Sequence, residues 1–414
     1  MRQAARLKTV SDLLPEILGS ASAADRLVQD WGRKNRYAGA VDRRDIADQI
    51  FAILRHYSKL CALVDCSDPV LVTMAARMVL FDDTLEDVCA LADGARFALD
   101  PPSSDMRERL AAIGTRDADL EPHERVALPA WLYSEVVSGR LVDAPAVLEK
   151  SNARAPLDLR VNTLRGSLAQ ARQKLADEGV RSRPLPRAPL ALRVEGTAQI
   201  TGGAVFQSGR IEIQDSGAQI AAGLCQAQPG QTVLDFCAGA GGKTLALAAQ
   251  MKNKGRLYVH DSDPKRLQAL AARAKRAGIG IISHMNGDAM AGLAARCQLV
   301  VSDVPCSGSG RWRRAPDTKW KLTPKSLGDL VSLQKEILAD SAVYVAPGGR
   351  LAYITCSIIA RENDHQIEDF LNTHTEFEID KTAKFANQCG TIQLDPHNTD
   401  TDGLFCAIMR RIRQ

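Results

Sequence analysis

Two cysteines in the sequence have neighbours that suit chemistry. Cys306 lies in "SDVPCSGSG" and Cys356 in "YITCSI", each beside a small polar residue and each just past an apolar run that reads as a strand. Thiolates are natural nucleophiles toward electron-poor rings. Carbon-5 of cytosine, for example, accepts a methyl group only after a nucleophile has added at carbon-6 and turned the ring into an enamine. Asp303, three residues before Cys306, is placed to hydrogen-bond ring nitrogen 3 and the exocyclic amine, favouring the protonated ring that such addition requires. A lone strand-end cysteine is usually a small buried hydrophobe. Two of them, at adjacent strand ends and facing a methyl donor, argue for chemistry instead.

The stretch "DFCAGAGGKT", residues 235–244, is where the chain can hold such a donor. It is a glycine-rich turn between the strand pattern "QTVL" and the helix pattern "LALAAQM". A Walker A motif requires glycine five positions before its Gly-Lys pair, but that position is Cys237, which excludes a P-loop. A dinucleotide fingerprint begun at Gly239 requires a third glycine where Thr244 stands, and fails too. What remains is a turn that lets backbone approach a ligand closely. Asp261 follows at the end of the next strand, where a carboxylate accepts both hydroxyls of a ribose, and Asp288 in "NGD" is placed to meet an adenine edge. These spacings fit S-adenosylmethionine, whose amino-acid tail meets the glycine turn and Lys243. Each acid alone also reads as a helix cap or turn residue; three at consecutive strand ends carry more weight.

The elements that must position these residues alternate regularly. Apolar strand patterns at "TVLDFCA", "GRLYVHD", "IISHMNGD", "CQLVVSDVP" and "GRLAYITC" are separated by helix patterns such as "PKRLQALAARAKRAG". This predicts an α/β fold with a doubly wound, Rossmann-like parallel sheet, whose ligands sit at the carboxyl ends of the strands. Asp235, Asp261, Asp288, Asp303, Cys306 and Cys356 all fall at those ends. Upstream, "LDLRVNTL", "PLALRV" and "GAVFQSGRIEIQD" alternate with the helical "LAQARQKLADEG" as a small α+β module. The first hundred residues read as a helical bundle, with Ile46, Ile50, Phe51, Ile53, Leu54 and Tyr57 as one apolar stripe. The expected domains are 1–125, helical; 126–213, the α+β module; and 214–414, the Rossmann-like domain.

Composition narrows the class further. With 414 residues, 45% hydrophobic and 25% charged, the chain is ordinary globular material with room for several cores. Ten cysteines without a CxxC pair argue against both a zinc site and a secreted disulfide framework, and no metal is expected. The start of the chain lacks a signal-peptide pattern and no apolar run is long enough to cross a bilayer, so a cytoplasmic, membrane-free monomer is expected. A net charge of +4 does not by itself imply nucleic acid. Local clustering says more: the stretch "RWRRAPDTKWK", 311–321, sets five basic residues and two tryptophans against Asp317, a combination that suits phosphate contacts and base stacking. The competing reading is a solvated loop whose tryptophans anchor it to the core.

Together "DFCAGAGGKT", "SDVPCSGSGRWRRAPDTKW" and "YITCSI" followed by "REN" resemble the signature motifs of the NOL/NOP/Sun family of RNA cytosine-5 methyltransferases. The resemblance runs from about residue 130 to 414 and includes "LPAWL", "LRVNTL", "QDSGAQ" and "TDGLF", while "RRDIADQIFAILRH" is similar to a NusB-like RNA-binding helical domain. It implies that Cys356 is the nucleophile at carbon-6 and that Cys306 helps the adduct resolve. It also implies that Cys237, Ala238, Gly239, Ala240, Gly241, Gly242 and Lys243, with Asp261, Asp288 and Asp303, line an S-adenosylmethionine site, with Arg266 a further candidate. The implied substrate is RNA, ribosomal RNA of the small subunit, and Arg160, Asn162 and Arg210 are expected to touch it. Two departures stand out: Ala240 replaces a proline common in the family, and Arg361 stands where an acid is commoner. Two other readings remain. A DNA cytosine-5 methyltransferase is disfavoured by the second cysteine and by the lack of a large recognition insertion; a nonenzymatic assembly or antitermination factor is disfavoured by the presence of Cys356.

Overall fold

Runs such as "QLVVSD", apolar on both faces, require a sheet covered on both sides, and the computed structural model of the chain has one. Residues 1–285, 288–385 and 388–412 are described, and the side chains of Asp288, Phe385, Gln388 and Cys389 lie outside that description. The chain divides into two compact units, one of residues 1–154 with 311–324, the other of 155–310 with 325–414. These limits differ from the boundaries expected at 125 and 213. The helices between Pro122 and Lys150 belong with the amino-terminal helices, and the short α+β module belongs with the large sheet.

In the second unit, β1 (Asp158–Val161), β2 (Ser182–Leu185), β3 (Ala188–Val194) and β4 (Ile211–Ile213) form an antiparallel sheet in the order β2-β3-β1-β4. Of "GAVFQSGRIEIQD" only Ile211–Ile213 is strand, and Ala204–Gln207 is a short helix. The large sheet follows with β5 (Thr232–Asp235), β6 (Arg256–Val259), β7 (Ile282–His284), β8 (Cys297–Asp303), β9 (Val345–Thr355), β10 (Phe377–Ile379), β13 (Thr391–Leu394) and β14 (Leu404–Arg411). A two-residue ribbon, β11 (Lys384–Phe385) with β12 (Gln388–Cys389), stands apart. The order is β10-β14-β9-β8-β5-β6-β7, with β13 beside β14. β5 to β9 are parallel and β14 runs antiparallel between β9 and β10. The doubly wound parallel sheet is therefore present, with an antiparallel carboxyl-terminal edge that the strand patterns above did not include.

Period-2 alternation sends side chains to opposite cores. Val233, Leu257, Leu299, Val301, Ala352 and Ile354 pack under the helices Ser216–Leu224, Gly242–Gln250 and Pro264–Ala277, whereas Leu234, Val300, Leu351, Tyr353 and Phe405 pack on the other face. After β5 the chain winds out to β6 and β7 and then returns to place β8 on the other side of β5. That reversal opens a crevice at the carboxyl ends of β5 and β8.

The first unit is helical. Leu7, Val10, Leu14 and Ile17 of the helix Gln3–Gly19 meet Ile46, Ile50, Ile53 and Leu54 of the helix Ala40–Val64 and Met74 and Ala75 of Pro69–Leu80. Phe51 and Tyr57, expected in the same stripe, are half-buried against that core. Segment 311–324 packs in this unit. Trp312 and Lys319 are fully buried and Trp320 stacks edge-on against Tyr57 while its Nε1 donates to Leu54 O at 2.8 Å. The tryptophans thus anchor the segment, and the expected base-stacking role is corrected: Trp312, Arg313 and Lys319 are interior groups.

Candidate active site

The site builds up from the end of β5. Asp235 is buried, and Thr244 Oγ1 donates to its Oδ2 at 2.6 Å across the turn into the helix Gly242–Gln250. Its Oδ1 has no hydrogen-bond partner among the described residues. Burial pushes the Asp235 carboxyl up to about 7, with Thr244 opposing and Asp303 and Asp261 adding to the rise. The turn between them is held by its own backbone: Ala238 N donates to His260 O and Gly239 N to Asp261 Oδ2 at 2.8 Å. Gly241 adopts φ +83°, and a Cβ there would stand 2.2 Å from Leu270 Cδ1, so the last residue before the helix must be glycine.

Asp261, two residues past β6, is buried, and its Oδ1 accepts from Asp263 N at 3.0 Å. The exposed Arg266 guanidinium lies 3.4 Å from its Oδ2. The side chain of Asp288 lies outside the described residues. Lys243 and Asp303 form an ion pair at 2.7 Å that bridges the helix start after β5 and the end of β8. Burial works to lower the Lys243 pKa, but Asp303, with Cys356 adding to it, outweighs burial and holds the ammonium above its ordinary value.

The two cysteines meet. Cys306 Sγ and Cys356 Sγ are 3.3 Å apart, both residues half-buried and neither in a disulfide. The thiol of Cys306 is held well above its ordinary value, first by its hydrogen bond to Cys356, then by burial and by the negative charge of Cys356 and Glu362. Cys237, within the glycine turn, is raised as well, by burial.

One residue that the sequence offered only as part of a motif, with no role, organises this pair. Glu362, in "REN", is fully buried. It accepts from Ser307 N at 2.8 Å, Ser307 Oγ and Ser357 Oγ at 2.5 Å each, and Gln334 Nε2 at 2.9 Å. Ser307 and Ser357 each follow one of the two cysteines, so a single carboxylate pins both loops. Asn363 extends the clamp, accepting from Thr355 Oγ1 at 2.6 Å and donating to Ser357 O at 3.0 Å. Gly310 closes it from below: its N–H donates to Cys356 O at 3.0 Å, and Gly403 N donates to Gly310 O at 2.7 Å.

The residues expected to touch RNA in the small module are placed otherwise. Arg160 is buried and donates to Gln214 Oε1 and Gly242 O, both at 2.7 Å, while Asn162 is buried and donates to Gly209 O and Ala277 O at 2.9 Å. Arg160 thus braces the start of the helix after the glycine turn and Asn162 the end of the helix Pro264–Ala277, so both serve the fold. Arg210 is half-buried, and its Nη1 donates to Arg165 O at 2.5 Å. Among the described residues no group of three or more His, Cys, Asp or Glu could hold a metal, and no helix is long and apolar enough to cross a membrane.

Comparison with known proteins identifies the site's relatives. The family model for the 16S rRNA methyltransferases RsmB/F matches residues 222–410, and that for the ferredoxin-like domain of RsmF/B-like methyltransferases matches 128–201. The chain is 33% identical over 302 residues to the probable ribosomal RNA small subunit methyltransferase B of Synechocystis sp., spanning 70% of this chain and 68% of that one. The chain belongs to the RsmB/F family. Its fold agrees: the solved structure of PH0851 covers 99% of both chains with a TM-score of 0.76 at 25% identity. NSun6 from Pyrococcus horikoshii, solved with SFG, covers 69% of this chain and 97% of its own with a TM-score of 0.61, at an identity of 17% that speaks to fold alone. In this RsmB/F protein the glycine turn follows β5, and Cys306 and Cys356 follow β8 and β9, the next two strands of the sheet.

Proposed function

We propose that the protein transfers a methyl group from S-adenosylmethionine to carbon-5 of a cytosine in small-subunit ribosomal RNA, through a transient bond between Cys356 Sγ and carbon-6 of the base. The observation that carries this reading is the sulfur pair at 3.3 Å with one member held protonated. Two thiolates at that separation repel, so at most one of the two sulfurs ionises at a time. The rise at Cys306 leaves Cys356, which the Lys243 ammonium neighbours, as the sulfur that ionises to attack. Cys356 is therefore the nucleophile.

Asp303 is one-third exposed and already oriented by Lys243, so it can present an oxygen to ring nitrogen 3 and the exocyclic amine. Once the sulfur–carbon bond forms, Cys356 loses its charge, and the largest cause holding the Cys306 proton goes with it. Cys306, half-buried, then releases its proton to solvent, and as a thiolate takes the carbon-5 proton while the bond to Cys356 breaks, which frees Cys356 as a thiolate and restores the aromatic ring.

The residues present fit the donor. Asp235 Oδ1, buried and without a partner, suits the ammonium of a methionine tail, and the turn at Gly239 and Gly241 leaves backbone bare for close approach. Cys237, Ala238, Gly239, Ala240, Gly241, Gly242 and Lys243 would hold it together with Asp261, Asp288 and Asp303. Asp261 reaches a ribose once Arg266 swings aside. When bound, S-adenosylmethionine supplies an electrophilic methyl group.

A denaturing gel of enzyme with RNA and donor tests the assignment. Cys306→Ala is expected to leave a trapped covalent RNA complex and Cys356→Ala to form none. The reverse pattern would exchange the two roles.

A further inference from the structure

We propose that the helical unit holds a groove in which unpaired bases of the RNA stack on Tyr37 and Phe97. This rests on RNA being the substrate. The groove, of about 720 Å³, is lined by both rings together with Arg2, Lys8, Asp12 and Arg96. Tyr37 is 70% and Phe97 64% exposed, and among the described residues they are the two aromatic side chains that stand mostly in solvent. Both of them face the same groove.

Each ring sits on a turn that is fixed from below. Tyr37 follows the helix Ala24–Lys34; Asn35 N donates to Trp31 O at 2.9 Å, Ala38 N donates to Asn35 O at 3.0 Å, and Ala38 is buried. Phe97 lies in a turn where Gly94 N donates to Leu99 O at 3.0 Å and Ala98 N to Ala95 O at 2.8 Å, with Leu99 buried. Phe97 itself adopts φ +72°, which strains a bulky residue, yet its ring gains little burial in return. Strain kept at an exposed ring points to a ligand rather than to a core.

The groups around the rings say what that ligand carries. The Arg96 guanidinium lies 4.8 Å from the centre of the Phe97 ring. Arg2 in the groove and Arg36 beside Tyr37 have no side-chain partner among the described residues, whereas Asp12, the one carboxylate in the lining, is paired with Lys8 at 2.9 Å. A single strand answers both features, since its bases offer faces for stacking and its phosphates meet the guanidinium groups. An apolar peptide would answer the rings alone.

The test is RNA capture by the full chain without methyl donor, which reads binding whether or not chemistry follows and so fails separately from the adduct assay. Fluorescence anisotropy of a labelled, unstructured single-stranded RNA is measured for wild type, Tyr37→Ala, Phe97→Gly, the double variant and Tyr37→Phe. The control is Val343→Ala, an exposed apolar residue of the other unit. Glycine takes φ +72° without strain, so Phe97→Gly removes the ring and leaves the turn intact. Loss of either ring is expected to weaken binding about five-fold or more, and loss of both about 25-fold. The log–log salt slope between about 50 and 200 mM should stay as in wild type for the ring variants, and fall by about 0.7 for Arg2→Ala. Tyr37→Phe, which keeps a ring, and the control should match wild type. An abasic RNA of the same length should bind wild type and the double variant alike. Wild-type affinity for RNA in the double variant would overturn the proposal, leaving the rings to a protein partner. An equal loss toward abasic RNA would overturn it too, since the rings would then not be holding bases.

Discussion

At the scale of single residues, two buried carboxylates play different roles. Glu362 satisfies four donors on the cysteine loops and on Gln334, all of them buried with it. Glu362→Ala leaves those donors without an acceptor, and hydrogen bonds to a charged group are worth roughly 1.5–3 kcal/mol each. We expect urea unfolding to show a loss of about 3 kcal/mol or more, and adduct formation to slow because the two sulfurs lose their register. Glu362→Gln, which keeps an acceptor, should fall between wild type and alanine in both measurements. Asp235 behaves differently. The folded chain holds its proton up to about pH 7, against an ordinary 3.8 in the unfolded chain, so between those values the folded state binds more protons. Its contribution to stability is thus whole below about pH 4 and is lost as pH rises to 7. Asp235→Asn still accepts from the Thr244 hydroxyl and should flatten this part of the pH–stability curve.

At the scale of elements, close approach of two loops fixes the base of the site. A Cβ on Gly310 would stand 2.0 Å from Gly403 O and 2.4 Å from Gly403 C, and backbone cannot yield as a flexible side chain does. Gly310→Ala should therefore cost on the order of 4 kcal/mol in denaturant unfolding and displace Cys356, whose carbonyl Gly310 holds. The central strands β5, β8 and β9 were legible in the sequence because strands buried on both faces read as apolar runs, here with an acid or cysteine at the end. β14 is as apolar, "LFCAIMRR", but its antiparallel insertion between β9 and β10 is a long-range pairing that no local pattern announces. The role of Glu362, though "REN" stood out as a motif, was hidden for a related reason: a carboxylate in a polar stretch looks solvated until the chain folds four donors around it. The stretch 311–321 misled in the other direction. Alternating cations and tryptophans look like an RNA surface, yet the Lys319 amine is satisfied inside the unit by Arg55 O at 3.1 Å, Ala127 O at 3.4 Å and Asn152 Oδ1.

At the scale of the whole molecule, the two units can be followed separately. All four tryptophans, Trp31, Trp131, Trp312 and Trp320, belong to the helical unit, so fluorescence excited selectively at tryptophan reports that unit alone. Its pH signature is opposite to that of Asp235. Burial, with Arg55 adding to it, lowers the Lys319 amine to about 7 from 10.5, so between those values the unfolded chain binds more protons and stability rises with pH. The tryptophan-detected unfolding midpoint should therefore increase from pH 7 toward 10, and Lys319→Met should abolish that increase. A midpoint independent of pH in wild type would contradict the placement of this lysine.

The central claim is tested most directly by locating the bond. RNA carrying 5-azacytidine, whose ring nitrogen at position 5 blocks release, is incubated with enzyme and donor, and tryptic peptides are sequenced by mass spectrometry. The two cysteines fall on different peptides, 297–311 and 351–361. The account predicts the nucleotide mass on Cys356 within 351–361; the same mass on Cys306 within 297–311, or on neither peptide, would contradict it.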